Sequence, residues 1–521
     1  MTNTIKNIVI VGGGTAGWIT AGVLAAEHMG QGSSVQVLLI ESPQVASIGV
    51  GEGTWPSMRN TLKKIGITEA QFMRCANASF KQGSKFIGWR DGSENDFYYH
   101  PFMNPQGYTQ ADLHAGWQAL NQNHTQEHHR SFADTVCAQS QVCEAGLAPK
   151  QQATPEYAAV TNYGYHLDAT KFAELLQSHC TQRLGVKHQL DHVTGVKSAS
   201  NGDIAAITCK DSDDISGDLF IDCTGLASKL LGEHYQIPFI EKKHILFNDS
   251  ALAVQVPYED NNSPIASATL STAQSAGWIW DIGLPTRRGV GYTYSSKHTD
   301  DQSAEKALKD YLAQSIGEQA ANALTPRKIT FKPGHREKFW HKNCVAVGLS
   351  SGFLEPLEAS ALALVELSAS MISEQLPTDR LHMDIIAERF NDRFSYHWGR
   401  VIDFLKLHYV LSQRKDSDYW RDNQLSESIE PRLQQLLTLW QYQPPSRYDF
   451  TLNEEVFPSS SYQYVLYGMG FETQLKASRK MLNESELTAR IFNDNQLKKE
   501  QFISGLPSNR QLIAALTKST Y

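Results

Sequence analysis

No two of the seven cysteines (75, 137, 143, 180, 209, 223, 344) stand in CxxC spacing, and their number is odd. That excludes a zinc knuckle and a disulfide framework, and it points to reduced thiols in the cytoplasm. Basic residues are scattered, and the formal net charge is −8 with a pI near 6.1. Neither nucleic acid nor an anionic membrane finds a surface to bind on such a chain. One uncharged stretch, residues 7–26 behind Lys6, imitates a signal peptide or a membrane span. Glycines and threonines interrupt it, and a strand followed by a glycine turn explains it better than export does. Internal repeats and low-complexity tails are also missing.

What is present is a long, ordinary globular composition: 521 residues, 41% hydrophobic and 10% aromatic. That length exceeds one simple core and suggests two closely packed domains. Residues 5–11 form a continuous apolar run, as in a strand buried on both faces of a parallel sheet. Gly12–Gly17 make a turn, Trp18–His28 a helix, and Val35–Ile40 a second strand ending at Glu41. This is a βαβ unit opening a doubly wound sheet. Ile204–Cys209, Leu219–Asp222 and Cys344–Val347 are further strands of that sheet, which is therefore assembled from scattered segments. The 250–295 region, rich in Val, Tyr, Trp and Thr, reads as a second, antiparallel sheet. From Ser303 onward helices dominate, with helical spacing over Ala304–Leu324, Ser360–Leu376, Met383–Leu411 and Leu433–Trp440. Pro444-Pro445 marks a turn. The expected division is a domain over 1–375, carrying inserted substrate-facing segments at about 80–165, and a helical C-terminal region over 376–521.

Gly12-x-Gly14-x-x-Gly17 gains meaning from its context, after a strand and before a helix. Gly12, Gly14, Thr15, Ala16 and Gly17 let the backbone approach a pyrophosphate, and the N-terminus of the following helix supplies N–H donors. Glu41 stands where a carboxylate accepts ribose hydroxyls. Phe220-Ile221-Asp222-Cys223-Thr224-Gly225 resembles the second strand-and-glycine element of FAD monooxygenase-type folds. Gly348-Leu349-Ser350-Ser351-Gly352-Phe353 resembles the later element that approaches the flavin ring. Two such late elements favour FAD over NAD. No second GxGxxG follows a strand, so a nicotinamide site is not expected.

Other segments add to this. Gly277-Trp278-Ile279-Trp280-Asp281-Ile282 is a Trp-x-Trp-x-Ile stretch. Gly49-Val50-Gly51-Glu52-Gly53-Thr54-Trp55-Pro56, Asn77-Ala78-Ser79-Phe80-Lys81, Tyr99-His100-Pro101-Phe102 and Phe353-Leu354-Glu355-Pro356-Leu357-Glu358-Ala359-Ser360 occur with it. Together, and in the order in which they occur along the chain, they resemble the flavin-dependent tryptophan halogenases. The resemblance implies an α/β, Rossmann-like FAD domain of the flavin monooxygenase type, with an antiparallel sheet insertion and a mainly helical C-terminal substrate region. It implies FADH2 from a separate flavin reductase, oxygen, and chloride or bromide as co-substrate. Hypohalous acid then passes to Lys81 beside an indole-type substrate, and Glu358 takes the ring proton or polarises the halogenating species. Lys85, four residues on, shares the helical face of Lys81 and is the decoy. Glu52 and Gly53 belong to a flavin-covering strap, and Leu349 to the late flavin element.

The same resemblance puts the halide against the backbone of Ser360 and Ala361. The better-known tryptophan enzymes have Ser-Thr-Gly where this chain has Ala359-Ser360-Ala361. His100 and Phe102, on a substrate-facing loop, would wall the indole, each stacking contact contributing about 0.5–1.5 kcal/mol. Tyr462 stands where a tryptophan would meet the ring. Trp278 and Trp280 read as structural, obstructing a hydroxylase-like placement of substrate on flavin. A polar clamp for free tryptophan is not recognisable in Gln441–Asp449, so the site should prefer indole itself or an indole on a larger molecule. An FAD aromatic hydroxylase is the alternative enzyme, and a flavin-fold relic that binds a metabolite is the non-enzymatic one. A homodimer is one compatible assembly.

Overall fold

The computed structural model describes residues 4–44, 51–122, 130–452, 454–474 and 479–518; Gly49 and Val50 of the strap segment lie outside them. The chain divides into two compact units, each made of three stretches. The first comprises Met1–Ala78, Leu167–Lys243 and Phe331–Gly399; the second comprises Ser79–His166, His244–Thr330 and Arg400–Tyr521. These units do not follow a division at residue 375. The 80–165 segment shares its unit with 244–330 and with the C-terminal helices.

The first unit is built on a six-stranded sheet in the order Trp340–His341, Cys344–Ala346, Leu219–Asp222, Asn7–Val11, Gln36–Glu41 and Lys187–Leu190. All neighbours are parallel except the first pair. The register places Ile8 between Leu219 and Val37. Ile8, Val9, Ile10 and Val11 are buried, as a strand covered on both faces requires. The Thr15–His28 helix connects the first two parallel strands, and it packs against the Ser360–Glu374 and Ala169–Gln182 helices.

One expectation needs correction here. Ile204–Cys209 is a strand, but it lies in a small antiparallel sheet with Val193–Ser198 and Ile215–Ser216. The Ser200-Asn201-Gly202 turn folds it back on its sequence neighbour, and a local hairpin forms more readily than a distant pairing. Ile204, Ile207 and Cys209 then join Val9, Val11, Ile40 and Phe220 in one buried cluster.

The second unit holds a seven-stranded sheet in the order Arg327–Thr330, Ser250–Pro257, Arg287–Tyr294, Gly277–Gly283, Thr269–Gln274, Gly83–Ile87 and Phe97–Pro101. It is antiparallel apart from the pairing of Thr269–Gln274 with Gly83–Ile87. Leu252, Val254, Ile279 and Tyr292 on one face pack against Ala304, Leu308 and Leu312 of the Asp301–Ile316 helix. The helix expected over Ala304–Leu324 breaks at Gly317, whose φ is +77°, and resumes as Glu318–Ala323. Helices follow at Ser360–Glu374, Arg380–Val410 and Pro431–Trp440. Helices do not dominate the whole region after Ser303, because short strands occupy Arg327–Thr330, Gly334–Arg336, Trp340–His341, Cys344–Ala346 and Gly352–Phe353. All seven cysteines are free, and six of them are buried. Among the described residues no helix is long and apolar enough to cross a membrane.

Candidate active site

In the first unit the C-terminal ends of three adjacent parallel strands each run into a glycine-containing turn. Asn7–Val11 leads to Gly12–Gly17, Leu219–Asp222 to Cys223–Gly225, and Cys344–Ala346 to Gly348–Gly352. In doubly wound sheets this is the edge where dinucleotides bind. Gly12 has φ +115°, and a Cβ there would lie 2.2 Å from the Cys223 carbonyl oxygen. A Cβ at Gly14 would meet nothing within 4 Å, so the space before the helix is open. No side chain caps the Thr15–His28 helix, which leaves the first-turn N–H groups of Thr15, Ala16 and Gly17 for a phosphate.

The late element closes on the same helix. Gly348 has φ +74°, and a Cβ on it would stand 2.7 Å from Ala16 Cβ and 3.6 Å from Val365 Cγ2. Leu349 is therefore held beside the helix start. Asp222 shapes the middle turn: its carboxylate accepts from Thr224 N at 3.1 Å, Leu230 N at 2.9 Å and Leu231 N at 2.8 Å. Glu41 ends its strand beside Gly13, with Oε2 3.1 Å from His188 Nε2. Glu52 and Gly53 form a short, half-buried strand, and desolvation pushes the Glu52 carboxyl up to about 7. An open cradle, uncapped helix donors and a terminal carboxylate fit the phosphates and ribose of FAD.

The same unit contains an unusual turn. Glu358 and Ala359 both have left-handed backbones, with φ of 61° and 56°. Such a conformation costs about 1–2 kcal/mol for each non-glycine residue, and strain of this kind clusters at functional sites. Ser360 then opens the 15-residue helix Ser360–Glu374, which has no side-chain cap. The N–H groups of Ser360 and Ala361 thus stand at a helix N-terminus, a natural anion site. Glu358 is 5% exposed, Ser360 is buried and Ala361 is exposed. The indole Nε1 of Trp55 donates to the Glu358 carbonyl at 2.7 Å. Further along the helix, the buried Glu366 accepts from Ser57 Oγ at 3.0 Å and Thr61 Oγ1 at 2.5 Å. Burial still pushes its carboxyl up to about 7.

Lys81 belongs to the second unit. It ends the Ser79–Lys81 strand, which pairs antiparallel with Gly164–Leu167. Phe80 O accepts from Asn509 Nδ2 at 3.1 Å, and Gln82 Oε1 accepts from Thr161 Oγ1 at 2.6 Å. Both neighbours of Lys81 are therefore anchored. Phe102 N donates to Gln82 O at 3.1 Å, which brings the Phe102 ring centroid to 5.3 Å from Lys81 Nζ. Lys81 is only 1% exposed, and lysine is rarely buried so deeply. Gly164 faces it across the strands, with His166 two pairings along. Burial, aided by Lys81, holds the His166 imidazole well below its usual range.

The shared helical face of Lys81 and Lys85 is a correction. Lys85 lies on a separate strand, Gly83–Ile87, which Gln82 separates from the first and which opens at Gly83, at φ +152°. Lys85 Nζ pairs with Glu144 Oε2 at 2.7 Å and sits 4.5 Å from the Phe97 ring centroid.

The expected substrate walls also lie in the second unit. His100 is on the Phe97–Pro101 strand rather than in a loop, and Phe102 follows it. Neighbouring strand pairing with Gly83–Ile87 extends the sheet to that point. The His100 ring lies 5.5 Å from Phe404, 6.1 Å from Tyr464 and 6.5 Å from Phe457. Phe404 and Phe457 stack at 3.8 Å. Tyr462 is 0% exposed and packs against Phe404, Phe450 and Trp440. Phe404 and Phe457 were not singled out from sequence, although Phe457 heads the segment that contains Tyr462. Trp278 and Trp280 are buried in the sheet, edge to face at 6.3 Å.

The doubly wound sheet of the first unit, with three glycine turns at one edge, and the buried lysine of the second, in its aromatic setting, each fit a flavoprotein acting on an aromatic ring. The comparisons agree. The tryptophan halogenase family model matches residues 7–483. A tryptophan 6-halogenase of Streptomyces toxytricini is 30% identical over 536 residues, covering 99% of both chains. The solved tryptophan halogenase of Shewanella frigidimarina NCIMB 400 is 52% identical, with a TM-score of 0.94 over 99% of this chain and 98% of that one. The solved tryptophan C-6 flavin-dependent halogenase (chlorinase) of taromycin biosynthesis is 31% identical, with a TM-score of 0.90 over 98% and 99%. The chain belongs to the tryptophan halogenase family and is a flavin-dependent halogenase. The hydroxylase alternative is not favoured.

Proposed function

We propose that the chain halogenates an indole-type substrate, with Lys81 holding the halogen at the ring and Glu358 receiving the ring proton. The observation that carries this reading is the burial of Lys81 against Phe102. FAD would lie against Gly12, Gly14, Thr15, Ala16, Gly17, Glu41, Glu52, Gly53 and Leu349; in reduced form it supplies oxygen activation, from which halide yields hypohalous acid. Chloride or bromide would rest on the N–H groups of Ser360 and Ala361. The Lys81 nitrogen would either hydrogen-bond hypohalous acid or become a haloamine, forming N–X, breaking O–X and releasing water. Transfer then breaks N–X of the protonated haloamine, or O–X of the held acid with a lysine proton completing water, as the ring C–X bond forms; Lys81 is left as the amine, and the displaced ring proton goes to Glu358. Holding the reagent at one carbon in this way supplies at most about 7–11 kcal/mol of the barrier.

His100 and Phe102 would wall the ring, with Tyr462 behind them through Phe404. FADH2 would come from a separate flavin reductase, and the free thiols suit a cytoplasmic setting.

The substrate reading rests on the stretch before Tyr462. Asp449 is engaged in its own turn there: its Oδ2 accepts from Trp440 Nε1 at 2.9 Å and Ser446 N at 2.8 Å, in a capping box. It does not stand ready for an amino-acid ammonium, and a zwitterion buried without partners is costly. Indole should therefore be brominated well and free L-tryptophan poorly, when both are supplied at equal concentration with reductase, FAD and bromide. A clear preference for tryptophan in product mass spectra would overturn the substrate assignment.

A further inference from the structure

We infer that Trp55 is a positioning residue for the catalytic turn, holding Glu358 and the N–H groups of Ser360 and Ala361 in place from the flavin-covering segment. The inference rests on the roles proposed above for those three residues.

The peptide unit between Glu358 and Ala359 is a single rigid plane. Its carbonyl accepts from Trp55 Nε1 at 2.7 Å, and its N–H donates to Pro356 O at 3.0 Å. The plane is thus pinned at both ends. Its orientation sets ψ of Glu358 and φ of Ala359, which belong to the two left-handed residues. Neither residue type favours that conformation, so something outside the turn must hold it. Trp55 is a partner that comes from a distant segment.

A second attachment lies further along the same helix. Ser57 and Thr61, immediately after Trp55, donate to Glu366. The 55–61 segment therefore grips the Ser360–Glu374 helix at its start and again almost two turns later. Trp55 is two residues from Gly53, in the Glu52–Gly53 strand. A shift of that strand on flavin loading would be passed through the indole to the plane that sets both the Glu358 backbone and the helix N-terminus.

The test is Trp55→Phe, which keeps a ring and removes the N–H, assayed with reductase, FAD, bromide and indole. Halide KM should rise about tenfold, as for one lost hydrogen bond, while the Kd for FAD stays within about twofold. Adding Ala359→Gly should recover most of the loss, because glycine adopts the left-handed turn unaided. Wild-type halide KM in Trp55→Phe, or no recovery in the double variant, would overturn the inference. If Trp55→Phe does not fold, 15N-tryptophan-labelled wild-type holoenzyme decides. A slowly exchanging indole N–H that shifts on bromide titration supports the tether, and silence of every indole signal overturns it. Glu358→Gln is measured in parallel. Full activity there would remove the underlying reading, whereas an inactive Glu358→Gln beside a wild-type-like Trp55→Phe would remove only the tether.

Discussion

Two lysines four residues apart show how environment assigns roles. Lys81 is sealed against an aromatic ring, with both backbone neighbours anchored, whereas Lys85 is held by Glu144 at the edge of solvent. Glu366 carries the clearest pH signature at this scale. Burial raises its carboxyl from 4.5 to about 7 despite two hydroxyl donors. Between those values the folded chain keeps a proton that the unfolded chain releases, so stability falls as pH rises through that window. Glu366→Gln removes this dependence. Urea melts should show little difference between variant and wild type at low pH beyond a constant offset. The variant should gain relative stability on going to pH 8, by at most about 3 kcal/mol. Glu52 is also raised, but it is shared by both proteins and cancels in the comparison. A pH-independent difference would show that Glu366 is not the titrating group.

At the scale of elements, the late glycine turn makes a sharp prediction. Gly348→Ala places a methyl 2.7 Å from Ala16 at a positive φ, so the turn must move away from the helix N-terminus. FAD affinity should fall about tenfold or more, read by flavin fluorescence, and unchanged affinity would separate Leu349 from the flavin site. Much of this framework was legible. The strands at Asn7–Val11, Gln36–Glu41, Leu219–Asp222 and Cys344–Ala346 are short apolar runs beside glycine turns, a pattern that survives without structural knowledge. Periodicity does not say which sheet a strand joins, so Ile204–Cys209 was assigned to the wrong one. Nor does it reveal short strands without an apolar run, such as Gly334–Arg336, or distinguish four-residue helical spacing from two strands broken at Gln82. The left-handed turn at Glu358-Ala359 was hidden for a different reason: neither residue type announces it, and the indole that holds it lies some three hundred positions away.

For the whole molecule, each unit gathers three separated stretches of chain, so the flavin elements and the lysine strand are interleaved in sequence. Boundaries of that sort follow from which segments pack together, and a linear reading does not contain them. The one GxGxxG fingerprint in the sequence carries a consequence for turnover. The purified chain with FAD should oxidise NADH or NADPH negligibly until a flavin reductase is added, and robust oxidation by the chain alone would show that a nicotinamide site exists. The central claim is that Lys81 carries halogen transfer and not flavin chemistry. Its most direct measurement follows oxygen uptake and bromoindole formation together, with reductase, FAD, bromide and indole, in wild type, Lys81→Ala and Lys85→Ala. The account predicts equal oxygen uptake in all three, enzymatic bromoindole from wild type and Lys85→Ala, and from Lys81→Ala no more than free hypobromite produces. Wild-type yield and regioselectivity from Lys81→Ala, or loss of its oxygen uptake, would contradict it.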